Sequence, residues 1–353
     1  MSYRVAQWST GNVGSYALRG IINHPDLDLV GVWVHSESKA GRDAGELAGV
    51  DPVGVAASND TDEIIALAPD CVCYTATADQ RPFEAIEDVA RILRSGINVV
   101  SSSLVMLVDP HGADPGLVGP LREASEEGGA SFFTSGIDPG FANDLIPLAL
   151  ASACERVDSI RVSEILNYDT YDQHTVIFDT MGFGRTPEEE VPMLLQPGIL
   201  GFAWGGTVRA LAAGLGLELD GIEEHYERIT TDETFEIPSG TVEKGTVAAL
   251  RFEVRGMVGG QARVVVEHVT RLRDDIAPEW PQPAGGGCYR IQIEGEPRIV
   301  TDVQLMGEHD GDHNTGGLVA TAMRLVNAIP AVCDAPPGLL SVFDVPLATP
   351  PTA

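Results

Sequence analysis

Tyr3-Arg4-Val5-Ala6-Gln7-Trp8-Ser9-Thr10-Gly11-Asn12-Val13-Gly14 is the stretch that decides the fold. Its first six residues read as a strand and residues 9–14 as a tight turn. Residues 15–23 then read as a helix and residues 27–34 as a second strand. A strand, a glycine-rich turn, a helix and a strand form the unit that binds a dinucleotide. The turn must be tight, a glycine must let the backbone approach the pyrophosphate, and the helix N-terminus offers free N–H groups and a partial positive charge. The fingerprint is G-x-G-x-x-G, and here its first position is Ser9; Gly11 and Gly14 fit. Ser9, Thr10, Gly11, Asn12, Val13 and Gly14 are the expected pyrophosphate cradle.

Working outward, strand and helix alternate over residues 1–142. Strands are predicted at 53–56, 71–74, 98–101 and 131–134, and helices at 61–67, 82–94 and 116–127. Such alternation implies a doubly wound parallel sheet, with ligands at the carboxyl ends of its strands. From residue 143 the rhythm changes. A helix is predicted at 144–154, and residues 160–165 alternate with a period of two. Residues 246–258 and 261–272 form two strand-like runs joined at Gly259-Gly260, the pattern of a hairpin. A short helix is predicted at 208–216. The expected architecture is α/β: an N-terminal Rossmann domain (1–142), then an α+β domain with a largely antiparallel sheet (143–315). A helix at 318–329 and an extended Pro-rich tail (316–353 in all) return to the first domain.

Composition limits the partners. The chain has 353 residues, 22 basic against 52 acidic, for a net charge of −30. Such a surface repels nucleic acid and anionic membranes. Lys39 and Lys244 are the only lysines. No stretch of 18 consecutive apolar residues is present, so no membrane span is expected. The immediate entry into a strand leaves no room for a signal peptide, so a cytoplasmic protein is expected. The five cysteines match no zinc spacing and read as reduced thiols.

Three further segments carry the family signal. Gly136-Ile137-Asp138-Pro139-Gly140-Phe141 follows the last strand of the first domain. Asp312-His313-Asn314-Thr315-Gly316-Gly317 and Ala320-Thr321-Ala322-Met323-Arg324-Leu325-Val326-Asn327-Ala328-Ile329-Pro330 lie near the C-terminus. With the N-terminal turn, these resemble the dihydrodipicolinate-reductase-like family that includes 2,4-diaminopentanoate dehydrogenase and the native amine dehydrogenases. The resemblance implies a nicotinamide domain, a substrate and dimerisation domain, a homodimer, and reduction of an imine formed from a ketone and ammonia. One departure stands out. In amine-forming relatives a catalytic glutamate follows the strand matching residues 98–100. Here Ser101-Ser102-Ser103-Leu104-Val105-Met106-Leu107-Val108 contains no carboxylate. A glutamate there can take a proton from ammonium, which leucine or valine cannot.

The cofactor expectation is NADP(H), with NAD(H) as the alternative. The second strand ends in His35 and Ser36 rather than an acid, and Lys39 and Arg42 are placed to hold a 2′-phosphate; Glu37 argues the other way. Thr75, Ala76, Thr77, Ser101 and Ser102 end later strands beside the expected dinucleotide. Leu104, Val105, Met106 and Phe141 are the expected apolar substrate pocket, suited to an uncharged ketone, aldehyde or imine. Tyr168, Tyr171 and His174 follow a strand and offer acidic protons, and Asp138 is a substitute carboxylate at the domain junction. Asn314 is expected to cap the last helix or to touch the nicotinamide amide. His309-Asp310-Gly311-Asp312-His313 lacks a partner cluster to close a ligand set, so no metal is expected. An ammonia-independent carbonyl reductase and a non-catalytic NADP-binding protein remain the alternatives.

Overall fold

The computed structural model describes residues 2–78 and 81–350. It divides into two units, Met1–Phe141 with Leu318–Ala353, and Ala142–Gly317. The first opens with β1 (Tyr3–Trp8), α1 (Asn12–Asn23), β2 (Leu27–Trp33), α2 (Ala44–Ala48), β3 (Ala57–Ser58) and α3 (Thr61–Ala66). It continues through β4 (Cys71–Tyr74), α4 (Pro82–Arg94), β5 (Asn98–Ser101), α5 (Pro115–Gly128) and β6 (Ser131–Thr134). Helix starts follow local chemistry. Asp43, Asp60 and Asp114 each accept a backbone N–H from the residue two ahead, at 2.7, 2.8 and 2.7 Å. The strand expected at 53–56 lies one step later: Ala56 makes only an isolated bridge to Asp43, and Ala57–Ser58 pairs with β2.

The second unit contains α6 (Leu145–Ala151), β7 (Arg156–Asn167), α7 (Ile199–Gly214), β8 (Gly221–Thr230), β9 (Phe235–Ile237) and β10 (Gly240–Val242). β11 (Val247–Val258), β12 (Gln261–Arg271), β13 (Gly287–Glu296) and β14 (Ile299–Val303) complete it. Its six-stranded sheet runs β14-β13-β7-β12-β11-β8, antiparallel throughout except for the β7–β12 pair. Gly259 and Gly260 both take positive φ (59° and 75°), as a two-residue hairpin matched to strand twist requires. The helix expected at 208–216 starts nine residues earlier. Gly201, Gly205 and Gly206 lower its intrinsic propensity, but Glu224 on β8 accepts the N–H groups of Gly198 and Gly201 at the α7 N-terminus. Period two divides the sheet into two faces. One carries Arg161, Arg251 and Arg255 around the buried carboxylates of Glu253 and Glu267, with Arg161 at 2.7 and 3.1 Å from them. The other faces an apolar core that includes Val162, Leu200, Val208, Phe252 and Val266.

The C-terminal elements are α8 (His313–Asp334) and β15 (Gly338–Leu340). Two expectations are corrected here. The helix continues past Pro330. The missing N–H costs about 3 kcal/mol, but Ile329 and Val332 on either side are fully buried in the first unit's core and offset it. The Pro-rich tail is not merely extended, because Gly338–Leu340 pairs in parallel with β6. The first sheet thus has seven parallel strands in the order β15-β6-β5-β4-β1-β2-β3. α8 is long and apolar enough to cross a membrane by composition, yet Ala322, Leu325, Val326 and Ile329 are buried against Val5, Ala17 and Ile21, as in a core helix.

Candidate active site

The turn after β1 is built for a tight reversal. Ser9, where the fingerprint has glycine, takes φ of 80°, a left-handed conformation that costs an L-residue about 1–2 kcal/mol. The turn is tied down on three sides. Ser9 N–H donates to Trp33 O at 2.8 Å, and Gln7 Nε2 donates to Ser9 O and to Thr75 Oγ1, each at 2.8 Å. Thr75 Oγ1 in turn donates to Trp8 O at 3.1 Å. Gly14 is required sterically, since a Cβ there would stand 2.4 Å from Ser9 O and 2.7 Å from Thr75 Oγ1. A Cβ on Gly11 would meet nothing within 4 Å, which leaves the approach that a pyrophosphate needs. Gly11 precedes α1 without any side-chain cap, and the first turn carries no acid, so its N–H groups face outward as an anion site. These features fit a dinucleotide cofactor, and Thr10, Gly11, Asn12 and Val13 are the residues that would hold its phosphates.

Lys39 belongs to the same turn. Its Nζ donates to Thr10 O at 2.8 Å and to Thr10 Oγ1 at 3.2 Å, bringing one of the two lysines of this acidic chain to the cradle. His35 and Ser36 are exposed; Ser36 Oγ lies 2.7 Å from Ser38 Oγ. Arg42 is also exposed and stands 3.8 Å from Glu46. Of the later strand ends, Thr75 is half-buried, Ala76 buried and Thr77 exposed. Ser101 is fully buried, its Oγ accepting Ser103 N–H at 3.0 Å, so its hydroxyl closes its own turn; Ser102 is half-buried.

The apolar segment after β5 is mostly buried. Leu104 and Met106 are buried within the core of the first unit, and Val105 alone of the three is half-exposed. The reason is a 3-10 turn at Val105–Leu107, whose three-residue period lines Leu104 up with Leu107 against that core. Phe141 is half-buried, and its N–H donates to Gly136 O at 2.9 Å. Asp138 is half-buried in the same segment.

In the second unit the predicted residues divide. Tyr168 and Tyr171 come together with ring centroids 5.0 Å apart. His174 is engaged elsewhere: Nδ1 donates to Ser239 O at 2.8 Å and the ring packs on Phe178 at 4.8 Å. Asn314 does not cap α8. Its Nδ2 donates to Asn167 O at 3.0 Å and Thr170 Oγ1 at 2.8 Å, fastening the loop that carries Tyr168, while Asp312 accepts Thr315 N–H at the helix start.

Two residues not singled out for chemistry complete the arrangement. Tyr168 donates its hydroxyl to Glu164 Oε1 at 2.9 Å, and His268 Nδ1 lies 3.3 Å from the same oxygen. Glu164 and His268 are only 4% and 5% exposed. The imidazole stacks on Phe252 (4.5 Å, 11°) and meets Trp204 edge-on at 4.7 Å. Burial and the Glu164 carboxylate hold the Tyr168 phenol well above its usual range, so it remains protonated and donating. The signal for both residues was register. Glu164 shares a face with Ile160 and Val162, and His268 with Val264 and Val266, so each places an ionisable group where the pattern demands an apolar one.

Comparison with known proteins gives these sites a context. Residues 141–352 match the model of the 2,4-diaminopentanoate dehydrogenase C-terminal domain. The chain is 44% identical to an amine dehydrogenase from Streptomyces virginiae, over 96% of this chain and 95% of that one. It is 26% identical to 2,4-diaminopentanoate dehydrogenase from Acetoanaerobium sticklandii, over 75% of this chain and 70% of that one. The solved amine dehydrogenase from Mycobacterium smegmatis shares the fold, with a TM-score of 0.78, 22% identity, and coverage of 99% of this chain and 97% of that one. The chain therefore belongs to the 2,4-diaminopentanoate dehydrogenase and amine dehydrogenase family, and is a nicotinamide-dependent oxidoreductase.

Proposed function

We propose that this oxidoreductase performs reductive amination, reducing the C=N carbon of an imine formed from ammonia and a small, mostly apolar ketone or aldehyde. The observation that carries this reading is the 44% identity to an amine dehydrogenase along nearly the whole chain. The bound nicotinamide supplies the hydride. The protein's part is to hold the cofactor on the N-terminus of α1 and to move protons at the reacting carbon and nitrogen. NADP(H) is the preferred cofactor in this reading, with Lys39 and Arg42 as the first cations after β2 in the chain and no acid at the strand-end position. Replacing both by alanine should raise the Kd for NADPH at least tenfold more than that for NADH; equal losses would overturn the preference. A homodimer in the cytoplasm completes the proposal.

An ammonia-independent carbonyl reductase is the second reading, favoured by the carboxylate-free segment 101–108. Cofactor consumption against a panel of ketones and aldehydes, with and without excess ammonium, separates them. Turnover that requires ammonium supports amine formation, and turnover indifferent to it supports the carbonyl reductase.

A further inference from the structure

We propose that Glu164 is the carboxylate that activates ammonia in this chain, with His268 and Tyr168 as the residues that position it. The proposal rests on the reductive-amination reading above.

Burying a carboxylate costs several kcal/mol unless it is compensated, and an apolar residue of similar size serves a core as well or better. The same sheet shows what structural compensation looks like. On its other face Glu253 and Glu267 are held by Arg161, Arg251 and Arg255. On the core face no guanidinium is paired with Glu164 among the described residues; an imidazole nitrogen lies 3.3 Å from its Oε1 and a phenol donates to the same oxygen at 2.9 Å. A buried carboxylate set beside an imidazole and a phenol has the neighbours that a general acid–base site uses, whereas guanidinium groups serve only to neutralise it.

His268 lies directly beside Glu164 across the parallel β7–β12 pair, and Tyr289 directly across the β7–β13 pair. Three neighbouring strands thus converge ionisable groups on one spot of a face otherwise lined by Val162, Val266 and Phe252. Titratable groups gathered on a face that is otherwise apolar make this spot a candidate for chemistry.

A small cation is recognised by a carboxylate flanked by aromatic faces. Glu164 has Tyr168 bound to it, Tyr171 packed on Tyr168, and Trp204 and Phe252 around its partner His268. Tyr168 and Tyr171 are half-buried.

Glu164 takes a proton from ammonium, giving the neutral carboxylic acid and ammonia. The ammonia lone pair forms the C–N bond at the carbonyl carbon, and the C=O π pair moves to oxygen. Proton transfer from nitrogen to that oxygen gives the carbinolamine. The nitrogen lone pair then forms C=N as the C–O bond breaks, and Glu164 returns its proton to the leaving oxygen. Water departs, the iminium remains, and the carboxylate is restored. Tyr168, kept protonated, fixes one carboxylate oxygen throughout; His268 fixes the ring-side geometry.

The test uses the full-length enzyme with ammonium, a ketone that the wild type aminates, and NADPH carrying hydrogen or deuterium at the transferred position. Glu164→Gln should lower kcat/KM for ammonium at least 100-fold, within the range general acid–base catalysis contributes. Its Kd for NADPH, read by fluorescence, should stay within about threefold. Because ammonia addition then limits the rate, the deuterium effect on turnover should fall toward one, which a merely structural defect would not produce. Glu164→Asp, which keeps the carboxylate, should recover part of the ammonium activity, and serves as the variant if the glutamine form does not fold. His268→Asn should raise KM for ammonium more than it lowers kcat. Ammonium turnover by Glu164→Gln within threefold of wild type, or an undiminished deuterium effect, would overturn the proposal. Absence of ammonium-dependent turnover in the wild type would instead overturn the reductive-amination reading beneath it.

Discussion

Gly11 and Gly14 stand three residues apart in the same turn, and alanine at each should fail differently. At Gly14 the new methyl would stand 2.4 Å from Ser9 O, 2.7 Å from Thr75 Oγ1 and 3.0 Å from Ser9 C. Two of these neighbours are backbone atoms of a residue already at φ of 80°, and the third is held by Gln7 Nε2 at 2.8 Å, so none can yield without breaking the turn. Overpacking of this kind costs about 1–3 kcal/mol, which lowers the melting midpoint by several degrees. The same displacement carries the α1 N-terminus away from the phosphates, so cofactor affinity should fall about 10- to 100-fold. At Gly11 the methyl meets nothing within 4 Å, and φ of −74° with ψ of −162° is open to alanine. The loss of a favourable N-cap residue and the gain from a stiffer unfolded chain each amount to less than about 1 kcal/mol and oppose one another. Gly11→Ala should therefore melt near the wild type, yet bind NADPH at least tenfold more weakly, because its methyl occupies the pyrophosphate approach. The assay is NADPH titration by quenching of tryptophan fluorescence, alongside thermal melts of both variants. Unchanged affinity in Gly14→Ala, or a melt of Gly11→Ala as early as that of Gly14→Ala, would refute the reasoning.

Two further outcomes follow from groups outside the site. Arg271 is buried and donates to Ile276 O, Ala277 O and Pro281 O at 3.0, 3.1 and 3.0 Å, so Arg271→Met should destabilise by about 2–4 kcal/mol and lower the urea midpoint; an unchanged midpoint would contradict this. Tyr3 donates its hydroxyl to Asp334 at 2.7 Å, and chiefly through that bond its phenol is pushed up from 10.0 to about 12. A raised folded value means the contribution is complete below pH 10 and is lost as pH rises through about 12. The tyrosinate absorbance difference between wild type and Tyr3→Phe should show its step near 12, and a step near 10 would contradict the assignment.

The first unit was largely legible because each of its signals is local. A strand ending at Trp8, two glycines at fixed offsets and the recurring buried strands place β1, β4, β5 and β6 within a residue or so. What escaped was set by tertiary context. β15 follows two prolines and becomes a strand only because β6 offers an edge. β8 is polar on both faces, with Glu223, Glu224, His225, Glu227 and Arg228, and is ordered by pairing with β11 as a sheet edge. α7 contains glycines that weaken a helix, and its N-terminus is completed by Glu224, distant in sequence. For the site, the cofactor turn could be read from spacing, while the second-unit cluster depends on strand register. Tyr168 was visible as a polar aromatic after a strand. Glu164 and His268 are 104 positions apart, and nothing in the sequence brings them together until β7 pairs with β12.

The account stands on one claim, that the carbon receiving hydride is an imine carbon whose nitrogen comes from ammonia. The direct measurement is mass spectrometry of the product after incubation with a ketone, nitrogen-15 ammonium and NADPH deuterated at the transferred position. The account predicts an amine carrying one deuterium on carbon and one heavy nitrogen in the same molecule. A deuterated alcohol without heavy nitrogen would contradict it.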